Sequence, residues 1–177
     1  MKVKTKDKLG KNKPLPSSKI TKVEEENLFA FIPNRKKPLL RNKTIVVGCG
    51  RLGASIANKG NKDGKNVLVV DNNKNAFDLL DDTFSGYTIV GDVLDYKTLE
   101  NAYITSAKEI IITTGNDNIN IFLALLCRNI YQVPNIYVRL DDPNMSVLLE
   151  NKDIEIILPF KLSFDMLESI RMKGGNK

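Results

Sequence analysis

The stretch KTIVVGCGRLGASIANKG, Lys43 to Gly60, decides the fold. Its apolar run, Thr44 to Val47, stops at Gly48, glycines follow at positions 50 and 53, and a helix-forming stretch begins there. A short β-branched run that ends in closely spaced glycines and passes straight into a helix is the first half of a β-α-β unit. The rest of the chain shows whether that rhythm continues.

It does. Short apolar runs recur at 44–47, 66–71, 87–90, 109–114, 136–140 and 154–158. They are continuously apolar rather than alternating, the pattern of strands covered on both faces. Amphipathic stretches at 52–61, 73–81, 96–102, 117–131 and 143–151 lie between them and read as helices. Strictly alternating strands and helices give an α/β fold with parallel strands and right-handed crossovers. The expectation is therefore a Rossmann-like, doubly wound, six-stranded parallel sheet. Asp95 and Asp117 precede two of the helices as caps or first-turn acids. After the last strand, residues 161–172 place Leu162, Met166, Leu167 and Ile170 on one helical face that is free to pack outward on a partner.

In this context GCGRLG, residues 48–53, is a G-x-G-x-x-G fingerprint on the loop from a first strand to a first helix. Gly48 permits the tight turn, Gly50 leaves room for phosphate oxygens at the backbone, and Gly53 lets the helix lie close to the strand. The helix N-terminus presents free N–H groups and the positive end of its dipole to a pyrophosphate. Arg51, with Cys49 and Leu52 the non-glycine residues of the motif, either clamps a phosphate or stays solvated. Asp71 ends the second strand 18 residues after Gly53. A carboxylate there accepts both hydroxyls of an adenosine ribose and repels a 2′-phosphate, or else it merely caps the segment that follows at Asn72. Two further loops leave carboxyl ends of strands, where open α/β sheets bind ligands. Gly91, Asp92 and Val93 follow the third strand, with Asp92 near an adenine amino group or capping the next helix. Thr113, Thr114 and Gly115 follow the fourth. Arg139, closing the fifth strand, is either a cleft residue or the ion-pair partner of Asp141 or Asp142.

The chain has 177 residues, enough for one domain with a full core and a tail. It has no histidine, which removes imidazole chemistry, and its two cysteines, Cys49 and Cys127, lack metal-type spacing, so no metal site is expected. No apolar run approaches the ~20 residues of a membrane helix, and no apolar stretch follows the basic start to make a secretory signal. The net charge of +6 is uneven: residues 1–43 hold 13 Lys/Arg against 4 Asp/Glu, and the other 134 hold 14 against 17. The basic excess thus belongs to residues 1–42, which read as a largely disordered extension with a short helix at 24–32 and a linker at 33–43. That extension suits an anionic partner, but no aromatic residue precedes Phe29, and no nucleic acid is expected.

VVGCGRLGASIA, VLVVD, IVGDVLD, IIITTGNDNIN, IYVRLDDP and IILP occur in this order over residues 43–172. Together they resemble the N-terminal domain of the regulator of potassium conductance family (RCK-N, or TrkA-N). The resemblance implies a cytoplasmic regulatory subunit that binds NAD(H), ATP, ADP or AMP and gates a membrane potassium channel or transporter. It implies phosphate contacts from Gly48, Gly50, Arg51 and Gly53, ribose contact from Asp71, and a cleft lined by Thr113 to Gly115. It also implies homodimers assembled into a ring, with the helix from Ile119 to Tyr131 facing a neighbour and residues 161–177 as a crossover helix and tail. The nucleotide-binding domain is then 43–160. Members often carry a second ligand-binding domain, so a chain ending at Lys177 is expected to be a minimal subunit or a fragment.

The competing expectation is a minimal NAD-dependent oxidoreductase. Hydride transfer usually needs an acid or base beside the nicotinamide. Here histidine is absent, no tyrosine has a lysine four residues downstream, and few residues follow the sixth strand to build a substrate domain. A binding module fits better than a catalyst.

Overall fold

A computed structural model describes residues 40–174. The basic extension expected over 1–42, apart from its last three residues, and the helix expected at 24–32 lie outside the described residues. At the start of the described chain, the Arg41 guanidinium donates to the carbonyls of Ala107 and Tyr131, at 3.2 and 3.1 Å. Residues 41 and 42 are thus anchored to the folded domain.

Six strands form one sheet: β1 (Lys43–Val47), β2 (Asn66–Asp71), β3 (Tyr87–Val90), β4 (Ala107–Ile112), β5 (Asn135–Arg139) and β6 (Glu155–Ile157). All neighbours pair in parallel, in the order β3-β2-β1-β4-β5-β6. This is the doubly wound order expected, and it reverses between β1 and β4. Among the described residues four α-helices accompany the sheet: α1 (Arg51–Lys62), α2 (Tyr96–Asn101), α3 (Asp117–Asn129) and α4 (Pro159–Gly174).

Side-chain alternation along each strand divides the core. Ile45, Val47, Leu68, Val70, Ile110 and Ile112 point to one face and meet α2 and α3 through Leu99, Leu123 and Cys127. Val46, Val67, Val69 and Ile111 point to the other and meet Ala54 and Ala57 of α1. Burying each such aliphatic side chain contributes about 1.5–3 kcal/mol, and Thr44–Val47 of β1 and Val67–Val70 of β2 are buried on both faces.

Three expectations change. Residues 73–81 form a 3-10 segment, Lys74–Leu79, rather than an α-helix. The Asn73 side chain accepts from the Asn75 N–H, an Asx turn that competes with helical hydrogen bonds. Residues 143–151 likewise give a 3-10 segment, Pro143–Leu149, opened by Asp142 accepting from the Asn144 N–H. Finally, β3 is not covered on both faces: it is an edge strand with Tyr87, Thr88 and Val90 exposed. The caps are also refined. Asp95 caps α2, but Asn116, not Asp117, caps α3.

The final helix, α4, starts two residues after β6 and carries its apolar side chains outside the core. Phe160, Phe164, Met166 and Met172 are more than 60 % exposed, and Leu162, Leu167 and Ile170 are exposed as well.

Candidate functional site

The carboxyl ends of the strands open into a cleft of about 570 Å³. Its position follows from the sheet: loops leaving β1 and β4 diverge to opposite faces where the strand order reverses, and nothing fills the gap between them.

The glycine loop forms one side. Gly48 has φ +90°, a left-handed conformation that strains any other residue, and a Cβ there would sit 2.9 Å from the backbone of Thr113 and Thr114. At Gly53 a Cβ would lie 1.9 Å from the Gly48 carbonyl oxygen, so α1 reaches this close to β1 only with glycine. Gly50 is different: a Cβ there would meet nothing within 4 Å, and its φ is ordinary at −72°. The fold tolerates a side chain at position 50; only something occupying the cleft would object. Gly115, on the opposite wall, is equally open.

Two helix N-termini face the cleft, and they are finished differently. In α3, Asn116 accepts from the N–H groups of Asn118 and Ile119, and Asp117 adds an acid to the first turn. In α1 the cap residue is Gly50, no side chain caps the turn, no acid lies in it, and Arg51 begins it. One positive helix end is neutralised by the protein itself; the other is not.

Asp71 stands at the end of β2 beside this loop. Its Oδ2 accepts the Cys49 N–H at 2.6 Å and its Oδ1 the Asn73 N–H at 2.8 Å, so the carboxylate both steadies the glycine loop and starts the next turn. Asp92 lines the cleft while accepting from the Leu94 N–H at 2.9 Å. On the far wall the Thr113 hydroxyl is buried and donates to the carbonyl oxygens of Val47 and Gly48, at 3.1 and 3.0 Å. Arg139 lines the cleft and also forms a two-pronged ion pair with Asp141, at 2.9 and 2.8 Å, so both of its proposed roles coexist. The Asp117 carboxylate accepts the N–H groups of Asp141 and Asp142, at 3.0 and 2.9 Å, and holds that loop.

Of the residues singled out from the sequence, Gly48, Gly50, Arg51, Asp71, Asn72, Gly91, Asp92, Val93, Thr113, Thr114, Gly115 and Arg139 line the cleft. Cys49, Leu52 and Gly53 do not. Cys49 is fully buried in the core beneath α1, where burial, and secondarily Asp71, push its thiol up to about 11. It therefore stays a neutral thiol. Leu52 is half-buried outside the cleft lining, and Gly53 serves the α1–β1 contact. The cleft also takes in Asn73, Ala76 and Asn116, which the sequence reading did not name as site residues, and Ile119, which it placed on a helix facing a neighbour. Asn116 stood inside the quoted TTGNDNIN loop and Asn73 two residues past Asp71; Ala76 carries no sequence signal.

Among the described residues no group of three or more Cys, Asp or Glu side chains is placed to hold a metal ion, and no helix is long and apolar enough to cross a membrane.

The TrkA-N domain model matches residues 44–159. Over 123 residues the chain is 28 % identical to the Trk system potassium uptake protein TrkA of Streptomyces coelicolor, covering 70 % of this chain and 55 % of that protein. It is 30 % identical over 127 residues to a TrkA homolog of Pyrococcus horikoshii, covering 71 % and 53 %. The chain thus spans about half the length of the curated relatives it matches. In structure it resembles GsuK. The ADP-bound form superposes with a TM-score of 0.63 at 21 % identity, over 76 % of this chain and 35 % of GsuK. The NAD-bound channel gives 0.63 at 22 %, over 73 % and 23 %. At that identity the likeness concerns the fold.

Proposed function

The chain belongs to the TrkA-N domain family, and from that premise we propose that it is a nucleotide-sensing regulatory component of a potassium channel or transporter. It takes NAD(H) or an adenine nucleotide in the cleft between the β1 and β4 loops. The observation that carries this reading is the uncapped N-terminus of α1, with an open Gly50 and Arg51, set beside the Asp71 carboxylate. One end suits a phosphate and the other a ribose diol, which are the two ends of a 5′-nucleotide. The TrkA names of the relatives and the ADP- and NAD-bound forms of GsuK support the ligand class and the setting.

In this reading Gly48, Gly50 and Arg51 hold phosphates and Asp71 holds the ribose. Gly91, Asp92 and Val93 border the adenine, and Thr113, Thr114, Gly115 and Arg139 border whatever extends past the adenosine. Gly53 supports the loop from behind. Cys49 contributes its backbone N–H to Asp71 rather than its side chain to the ligand. The domain is a sensor and not a catalyst: the cleft offers carboxylates, threonines and two arginines, and the chain contains no histidine.

The exposed apolar side chains of α4 need cover. A second copy of the chain supplies it, and such pairs build a larger ring at the cytoplasmic side of the pore subunit. A ligand acts on this assembly by binding one arrangement of the subunits more tightly than another.

Thermal unfolding of the purified chain with NAD⁺, NADH, NADP⁺, ATP, ADP and AMP at matched concentrations tests the reading. A ligand present at about 100 times its Kd adds about 2.7 kcal/mol of stability. Stabilisation by NAD(H) or an adenine nucleotide with little effect of NADP⁺ is expected. No stabilisation by any of the six overturns the reading.

A further inference from the structure

Asn120 lies in the second turn of α3 and is fully buried, with Ile121, Leu123 and Ala124 buried beside it. A primary amide has two N–H donors and two acceptor lone pairs, and here all four are used. Nδ2 donates to the carbonyl oxygens of Thr114 at 3.1 Å and of Arg139 at 2.9 Å. Oδ1 accepts the Thr114 backbone N–H at 3.2 Å and the Thr114 hydroxyl. An apolar side chain would pack at this site without any such demand, whereas an amide is costly to bury unless fully paired. Its effect is to tie the loop after β4 to the end of β5. Both segments line the cleft, and Asn120 does not.

The cleft has two sides. Asp71 ends β2 and Asp92 follows β3, on one side of the point where strand order reverses; Thr114 and Gly115 follow β4 and Arg139 ends β5 on the other. We infer that Asn120 is a positioning residue for the second side: acting through Thr114 and Arg139, it sets the affinity for the part of a dinucleotide that extends beyond its adenosine monophosphate half. This assignment rests on the nucleotide reading proposed above. A mononucleotide held by the glycine loop, Asp71 and Asp92 does not depend on that tie; a dinucleotide does.

The test compares the affinities of NAD⁺ and AMP for the wild-type chain and for Asn120→Leu by calorimetry, with the thermal midpoint of each free protein recorded alongside. The expected result is a loss of about tenfold for NAD⁺ with AMP changed by less than about threefold. A purely structural role lowers both alike, and that result, or no change in either, overturns the assignment. Should Asn120→Leu not fold, Asn120→Asp keeps the shape and the two accepted hydrogen bonds while losing both donations. The same fall in the NAD⁺-to-AMP affinity ratio is expected, and an unchanged ratio overturns the assignment. Wild-type protein that binds neither ligand overturns the nucleotide reading and this inference together. Wild-type protein that binds both, with the variants' ratio unchanged, overturns the role of Asn120 alone.

Discussion

Oδ2 of Asp71 lies 2.6 Å from the backbone nitrogen of Cys49, so the residue proposed to read a ribose also holds the loop proposed to read phosphates. The two tasks separate by substitution. Cys49 is fully buried, and Asp71→Ala leaves its N–H without an acceptor, a loss of about 1–3 kcal/mol. Asp71→Asn keeps one acceptor oxygen for the buried Cys49 N–H and gives up the bond to the exposed Asn73 N–H, so it retains most of that stability. It loses the negative charge that repels a 2′-phosphate, so the preference for NAD⁺ over NADP⁺ narrows. Urea unfolding and calorimetry on the two variants check this; an Asn variant that still rejects NADP⁺ as strongly as wild type contradicts it.

Gly50 and Gly53 look alike in the motif but predict opposite outcomes. Gly53→Ala puts a methyl 1.9 Å from the Gly48 carbonyl oxygen and must push α1 away from β1. The cost is that of overpacking, about 1–3 kcal/mol or more. Gly50→Ala meets open space and leaves the stability of the free protein within about 0.5 kcal/mol of wild type. Its methyl stands where phosphate oxygens approach, so nucleotide binding weakens. A Gly50→Ala protein that binds as well as wild type removes the phosphate from this loop.

Arg51 opens the uncapped α1 and is exposed in the free protein. Removing it costs little stability. Arg51→Ala should lower ATP and ADP affinity by roughly tenfold, a charge-assisted contact of about 1.4 kcal/mol, while adenosine is hardly affected. Equal losses for all three ligands would show that Arg51 senses no phosphate.

The glycine loop, β1, β2 and Asp71 were legible in the sequence because each has a local cause: β-branched runs, glycines at fixed offsets, a carboxylate at a strand end. What was not legible depends on partners distant in the chain. Runs of apolar residues do not say which strand is an edge, so the exposure of β3 came only with the sheet order. The Asx turns at Asn73 and Asp142 convert two amphipathic stretches to 3-10 segments that periodicity alone reads as α. Asn120 looked like one more polar residue in TTGNDNIN; its partner, the Arg139 carbonyl, is 19 residues away.

The α4 side chains Phe164 and Leu167 are exposed, and a helix that presents so much apolar surface associates. The wild-type chain is expected to be dimeric or larger in sedimentation, and Phe164→Glu with Leu167→Glu to shift it towards monomer. Because neither residue belongs to the core, thermal stability should fall only by the contribution of association. A wild-type chain that sediments as a monomer at tens of micromolar would reject this use of α4.

Glu109 and Lys65 join β4 to the turn before β2, and their charges predict opposite pH limits. Burial works against ionisation of Glu109, but hydrogen bonds from the Thr44 hydroxyl at 2.6 Å and from Lys65 at 2.9 Å outweigh it, and the carboxyl titrates below its ordinary 4.5. The hydrogen bond to Glu109 raises Lys65 above its ordinary 10.5. A carboxyl with a depressed folded value contributes stability above its unfolded value, and that contribution is lost as pH falls through the folded one. For the raised lysine the contribution is complete below 10.5 and disappears as pH rises through its folded value. Between these limits the pair adds a constant amount. Lys65 is half exposed, so solvent screening discounts its share, and the Thr44 hydrogen bond is the largest of the interactions that lower Glu109. Thr44→Val should therefore cost about 1.5 kcal/mol at neutral pH. The gap to wild type should shrink as pH falls through the folded value of Glu109, which lies below 4.5, because the carboxyl then gains its proton and the hydroxyl faces a neutral acid. Urea midpoints of both proteins at pH 7 and pH 3 measure it, and a gap of the same size at both values would place the stabilisation elsewhere than in the ionised carboxylate.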